Sequence, residues 1–405
     1  MQQSELMSQF PQLFGEVYGK RLVYLDNAAT SLRPKAVIDK WEEMSVSKNA
    51  NIHRSVHYSA SAATEEFENA RKKVAEFIGA PSPEHIVFTS GTTASLNLVA
   101  FSFGEYCVSE GDEIIVSECE HHSDIVPWQM MCQRKKAILK VLPIDDSGHL
   151  KLDILPSLIT GRTKIVCVSH ISNVLGIVNP VREIVRICHS RDCPVLVDGA
   201  QGIVHVPVDV KEIGCDFYAF SGHKVYAAPG TGVLYAGGDW LKRLPPYMGG
   251  GEMIGTVRWE GSTYADPPQK FEAGTQNIAG VPTWVPALET AEALHSFDDR
   301  LLSVRDYLME ELHKLDGLRL YGEPDSPEEK IPLFSFTIDG VHHEDLALVL
   351  DKMGIAVRSG QMCAEPLMDR FGVTGMLRAS FAPYNTQEDA EYFLESLRKA
   401  VEMLR

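Results

Sequence analysis

Between residues 86 and 236 the chain repeats one pattern: a short apolar run, a turn, a helical stretch, and another apolar run. The runs fall at 86–89, 113–117, 138–142, 164–169, 195–198, 216–220 and 233–236, and they are continuous in Val, Ile, Leu and Phe rather than alternating with polar residues. A strand of that kind has both faces covered. With helical segments between them, including 94–103, 153–160 and 180–190, the runs predict an α/β fold built on a mostly parallel sheet. Ligands of such sheets bind beyond the carboxyl ends of the strands. The side chains there that are capable of chemistry are Thr92, His121, Asn173, Asp198 and Lys224.

Two of these ends carry a local signal. The aromatic-rich run Asp216-Phe217-Tyr218-Ala219-Phe220 passes into Ser221-Gly222-His223-Lys224. A lysine placed directly after a buried strand is shielded from water, which lowers its pKa and frees the amine as a nucleophile that forms Schiff bases. The plain alternative is a surface lysine marking a strand end. Likewise Ser90-Gly91-Thr92-Thr93 joins a strand to a helix, which makes an anion site from free N–H groups and the helix dipole, or simply an N-cap. A single glycine makes it neither a P-loop nor a dinucleotide fingerprint, and no G-x-G-x-x-G opens a helix.

Composition narrows the functional classes. The 405 residues carry a formal charge of −17, which argues against nucleic-acid or anionic-membrane partners and suits a protein of small-molecule substrates. No apolar run reaches the roughly 18 residues of a membrane span. Residues 1–20 form a polar helical arm without the pattern of a secretion signal, so a cytoplasmic location is expected. None of the eight cysteines has CxxC spacing, so reduced thiols and no metal site are expected. Further strands are read at 22–25, 332–338, 355–358 and 377–382, and helices at 34–48, 61–78, 343–353 and 386–404. A helical run over 287–315 contains the junction to a second α/β unit, and 245–282 is an irregular, Gly-rich stretch of functional or interfacial character.

Asp198 ends one strand and Lys224 follows the next. That order suits a pyridoxal 5′-phosphate enzyme, in which a carboxylate keeps the pyridine nitrogen protonated and an amine holds the aldehyde. The stretches LDNAAT, IHR, GTTASLNLVA, EHHSDIVPWQ, HISNVLGIVNP, VLVDGAQ, CDFYAFSGHK, GGGEMIGTV, FEAGTQN, GIAVRSGQMCAEPLM and LRASFAPYNT resemble, in that order, class V aminotransferase-family proteins of PLP fold type I. Within these they are most similar to group II cysteine desulfurases of the SufS type, from about Leu22 to the C-terminus.

The resemblance implies a large PLP-binding domain over 21–290 with a mostly parallel seven-stranded sheet, a smaller C-terminal α/β domain over 291–405, and an arm, 1–20, packed on the latter. It implies that Lys224 carries the cofactor and moves protons. Asp198 would pair with the pyridinium, Gln201 with the ring oxygen, and His121 would stack on the ring and serve catalysis as an acid/base. Thr92, Thr93, Ser221 and His223 would hold the phosphate, with Thr275 from a second subunit of a homodimer joined through 248–256 and 271–277. Asn173 would contact the cofactor and, with Arg378, hold the substrate carboxylate. Ala28, His53, Arg54, Arg358 and Arg378 complete the substrate side, with Arg378 on the carboxylate. Cys363 would take sulfur from L-cysteine as a persulfide, beside an Arg358 that favours its thiolate, and pass it to a SufE- or SufU-type acceptor for iron–sulfur cluster assembly. Gln361 and Met362 stand where relatives often carry His. Selenocysteine lyase or cysteine sulfinate desulfinase activity, on substrates such as L-selenocysteine, is the second enzyme reading, and a non-catalytic scaffold the third.

Overall fold

The computed structural model describes residues 3–54 and 56–405, with the side chains of residues 3 and 4 left aside. Seven strands form one sheet: β1 (Ile86–Thr89), β2 (Glu113–Ser117), β3 (Ile138–Leu142), β4 (Thr163–Ser169), β5 (Val195–Asp198), β6 (Phe217–Ser221) and β7 (Gly232–Ala236). Their order is β1-β7-β6-β5-β4-β2-β3, and β7 alone runs antiparallel to its neighbours. The continuous apolar runs are explained by the two cores they separate. Ile165, Cys167, Leu196, Phe217 and Ala219 face one cluster, and Val166, Val168, Val195, Val197, Tyr218 and Phe220 face the other. In these inner strands alternate residues point to opposite sides and both sides are dry, whereas the edge strand β3 is half-exposed and carries Lys140 at its centre.

A second sheet of four strands, β8 (Leu318–Tyr321), β9 (Leu333–Ile338), β10 (Arg358–Gly360) and β11 (Met376–Ser380), has the order β8-β9-β11-β10 and is antiparallel throughout. Its helical cover includes α1 (Asp298–His313), α2 (His343–Lys352) and α3 (Gln387–Leu404). The last starts on a capping box between Thr386 and Asp389 and buries Ala390, Phe393, Leu394, Leu397 and Ala400 along one stripe. Each such large side chain contributes about 1.5–3 kcal/mol.

Two local differences from the sequence reading matter for the site. The stretch read as one strand at 355–358 serves two sheets: Ile355–Ala356 pairs in parallel with Val23–Tyr24, while Arg358 begins β10. The helical run over 287–315 is broken by a turn at His295–Phe297, which contains no helix breaker and so kept its periodicity. Elements outside the reading include the helices Val126–Lys135 and Glu365–Phe371, strand β8, and a hairpin of Ile254–Arg258 with Gly261–Tyr264. The hairpin is exposed along almost its whole length and therefore carries no core pattern. The irregular stretch beside it is pinned by Glu272, whose buried carboxylate accepts from Arg71 (2.6 Å) and from the Phe88 N–H of β1 (2.7 Å). The arm contributes buried Leu6, Phe10 and Leu13, with Phe10 against the rings of Tyr226 and Tyr384.

Candidate active site

A cavity of about 220 Å³ opens beyond the carboxyl ends of β4, β5 and β6. Strand β6, buried at every residue, passes into the turn Gly222–Lys224 and delivers the lysine into that space. Lys224 is largely surrounded by protein, and this burial pulls its ammonium down to about 8 against the opposing pull of Asp198. Asp198, at the end of β5, accepts the Ala200 N–H (2.8 Å); burial pushes its carboxyl up, and Lys224 holds it down. His121 accepts the Ser123 N–H at Nδ1 (3.1 Å), which places its own proton on Nε2. Burial, reinforced by Lys224, pulls it down to about 4, so the imidazole is neutral at physiological pH.

The anion-binding end is assembled from three chain segments. The 16-residue helix Thr92–Cys107 begins at Gly91 with no side-chain cap, which leaves first-turn amides for a ligand. Gly91 adopts φ 152°, and a Cβ on the neighbouring Gly232 would lie 2.4 Å from its Cα, so neither position tolerates a side chain. The Ser221 hydroxyl accepts from Thr92 N (2.8 Å) and lies 2.7 Å from Thr92 Oγ1. With Thr93 and His223 they line one wall of the cavity.

The opposite wall comes from the second sheet. Arg358 and Arg378 face each other directly across β10 and β11, an arrangement of like charges that costs energy unless screened. Asp26 screens it: its carboxylate pairs with Arg358 (3.1 Å) and with Arg378 (3.2 Å). The segment reaches that place because Asp26 bridges to Ser380, at the end of β11. Arg378 also donates to the Asn173 carbonyl (2.8 Å), while its buried Nε has no partner among the described residues. Arg378 lines the cavity, and the planar fork of a guanidinium there fits a substrate carboxylate. Gln201 donates to the Ala28 carbonyl (2.8 Å), and Asn173 to the Met362 carbonyl (2.8 Å).

Cys363 is the one exposed cysteine; Cys107 is half-buried and the other six are buried. Burial pushes those thiols away from ionisation, Cys132 to about 11 and Cys119 and Cys193 to about 12. Met362 and Cys363 both adopt left-handed backbone (φ 53° and 55°), which costs roughly 1–2 kcal/mol per residue.

Thirteen of the residues read from the sequence thus line one cavity: Ala28, Thr92, Thr93, His121, Asn173, Asp198, Gln201, Ser221, His223, Lys224, Arg358, Cys363 and Arg378. His53, Arg54 and Thr275 do not. His53 bonds Glu68 (2.9 Å), Arg54 pairs with Glu252 (3.0 Å), and Thr275 is exposed. A lysine, a carboxylate, a neutral imidazole and a capless helix start around one cavity fit pyridoxal 5′-phosphate.

The Aminotransferase class-V family description matches residues 23–393. The chain belongs to that family. Among curated members, a probable cysteine desulfurase of Vibrio cholerae is 42% identical over 401 residues, covering 98% of both chains. A cysteine desulfurase of Cronobacter sakazakii is 43% identical, covering 97% of each. The crystal structure of the Escherichia coli cysteine desulfurase CsdA, in S-sulfonic acid form, superposes with a TM-score of 0.91 at 39% identity over the whole of both chains.

In this class-V chain the sequence reading had missed Asp26 and the acidic pair below the site. Glu120 accepts the Ser169 N–H (2.7 Å) and the Ser117 hydroxyl, and burial pushes its carboxyl up to about 8. Asp124 is pushed well up, by burial and then by Glu120, and accepts from Trp128 Nε1 (3.0 Å). The available signals were an acid at a strand end for Asp26 and acids flanking the His pair for Glu120 and Asp124.

Proposed function

We propose that the chain is a pyridoxal 5′-phosphate-dependent L-cysteine desulfurase in which Cys363 takes the substrate sulfur. The observation that carries this reading is the placement of the one exposed thiol in the same cavity as Lys224. The cofactor, when bound, supplies an electron sink for bond changes at the substrate Cα. Lys224 would hold it covalently, with Asp198 toward the pyridine nitrogen, His121 on the ring face, Gln201 near the ring oxygen, and Thr92, Thr93, Ser221 and His223 on the phosphate.

The substrate carboxylate pairs with Arg378, held in place by Asp26 and Asn173. Lys224 moves the proton at Cα. The Cys363 thiolate attacks the substrate sulfur; the sulfur–sulfur bond forms as the carbon–sulfur bond breaks. The electron pair stays on Cβ, which takes a proton, so that L-cysteine and one enzyme thiol give L-alanine and one enzyme persulfide. The persulfide then passes its outer sulfur to the thiol of an acceptor protein, for iron–sulfur cluster assembly.

The working unit is a homodimer. The exposed hairpin with Trp259 at its turn, 103% accessible, and Val257 and Tyr264 on its strands supports this reading, and Thr275 would complete the phosphate site of the second copy. The chain divides near the turn His295–Phe297 into a cofactor-binding domain and a smaller domain that bears Cys363. No helix among the described residues is long and apolar enough to cross a membrane.

The test is alanine and sulfide production from L-cysteine by wild type and Cys363→Ala. Alanine that depends on Cys363 supports the desulfurase. A variant that loses cysteine turnover and keeps selenocysteine cleavage identifies a lyase activity at the same cofactor. Alanine from cysteine at the wild-type rate without Cys363 overturns the assignment.

A further inference from the structure

Neither Met362 nor Cys363 sits in a backbone conformation that a side chain favours, so contacts from elsewhere must hold them there. Asn173 Nδ2 donates to the Met362 carbonyl (2.8 Å), as described above. The other two contacts come from a single residue. The His122 backbone N–H donates to the Cys363 carbonyl (2.7 Å), and His122 Nε2 accepts the Glu365 N–H (2.9 Å). His122 therefore brackets the thiol, gripping the chain at Cys363 and again two residues later.

The second grip meets a specific need. Glu365 opens the short helix Glu365–Phe371, which has no side-chain cap at its own N-cap residue. The first N–H groups of a helix have no partner within it. The imidazole accepts one of them, and accepting at Nε2 requires a neutral ring with its proton on Nδ1. The preceding residue, His121, lines the cavity. One two-residue step thus ties the ring-facing imidazole to the loop that carries the thiol.

We propose that His122 is a positioning residue for Cys363, fixing the loop so that the sulfur stays within reach of the substrate. The proposal rests on the reading of Cys363 as nucleophile. Its action is on the loop alone: removing the acceptor releases the Glu365 amide, widens the range of positions of Cys363, and leaves the cofactor-facing groups in place.

The experiment uses the holoenzyme with His122→Phe, which keeps a flat ring without an acceptor, and His122→Gln, whose side-chain oxygen can accept the same N–H; His122→Ala replaces the Phe variant should that fail to fold. Steady-state turnover of L-cysteine is measured together with hydrogen exchange of the peptide spanning residues 361–367. The expected result for His122→Phe is a kcat about tenfold lower, unchanged KM and visible spectrum, and faster exchange confined to that peptide, with both effects reversed in His122→Gln. Wild-type kcat in His122→Phe overturns the proposal, as does a Gln variant as slow as the Phe variant. Cys363→Ala is run beside them. If it turns over cysteine normally, the nucleophile assignment itself has failed; if it is dead while His122→Phe is normal, only the clamp has failed.

Discussion

The floor and the rim of the cavity are built on opposite physical terms. At the floor, Lys224, Asp198 and His121 sit at the ends of buried strands or just beyond, and burial is the leading cause of each pKa displacement. At the rim, Cys363 is exposed on left-handed backbone in a short loop, where conformation and reach decide what it can do. Desolvation tunes proton chemistry, and an accessible thiol suits chemistry that reaches outward. Joining both kinds of environment in one site requires two sheets, one for each.

The contrast breaks most completely at Lys224. Lys224→Ala is expected to lower kcat by about 10³-fold or more, since under the proposed function the variant would lose both the covalent anchor and the proton carrier; the visible spectrum and alanine production check it. Cys363→Ala should reduce cysteine turnover by about 10²-fold or more while the cofactor spectrum stays that of wild type, because the rim is changed and the floor is not.

Asp26→Asn tests the seam between the two sheets. It leaves Arg358 and Arg378 facing each other unscreened, so kcat/KM for L-cysteine should fall about 10-fold, mostly through KM, and stability by about 2 kcal/mol. Denaturant titration and steady-state kinetics separate the two.

The pH dependence of the floor is of similar size. Burial lowers Lys224 to about 8, so its amine is free above that pH and protonated below it. Cofactor capture by the apoprotein should therefore rise with pH and level off above about 8, differing about tenfold between pH 7 and pH 9. His121, already neutral above about 4, adds nothing in that window.

The same division governs what the sequence revealed. The fold class and the seven strands of the large sheet were legible to within about a residue at each end, because most of these strands are buried on both faces and leave continuous apolar runs, the half-exposed edge strand β3 excepted. The floor residues could be named because they follow those runs. The seam was not legible: Asp26 and Arg358 lie 332 residues apart, and no local pattern announces their pairing. The division of 355–358 between two sheets was hidden for the same reason, since each half finds its partner far away in sequence. The hairpin around Trp259 escaped because its residues face outward, where periodicity carries no information. His53 and Arg54 were read as neighbours of the site from their motif; in the folded chain they reach Glu68 and Glu252 instead.

The most direct test of the account is a single turnover without reductant, in which alanine is counted per active site and the mass of the Cys363 peptide is followed. The account predicts one alanine per site, formed together with a Cys363 peptide one sulfur atom heavier, and neither product in Cys363→Ala. Alanine accompanied by free sulfide, with the Cys363 peptide unchanged in mass, would contradict it.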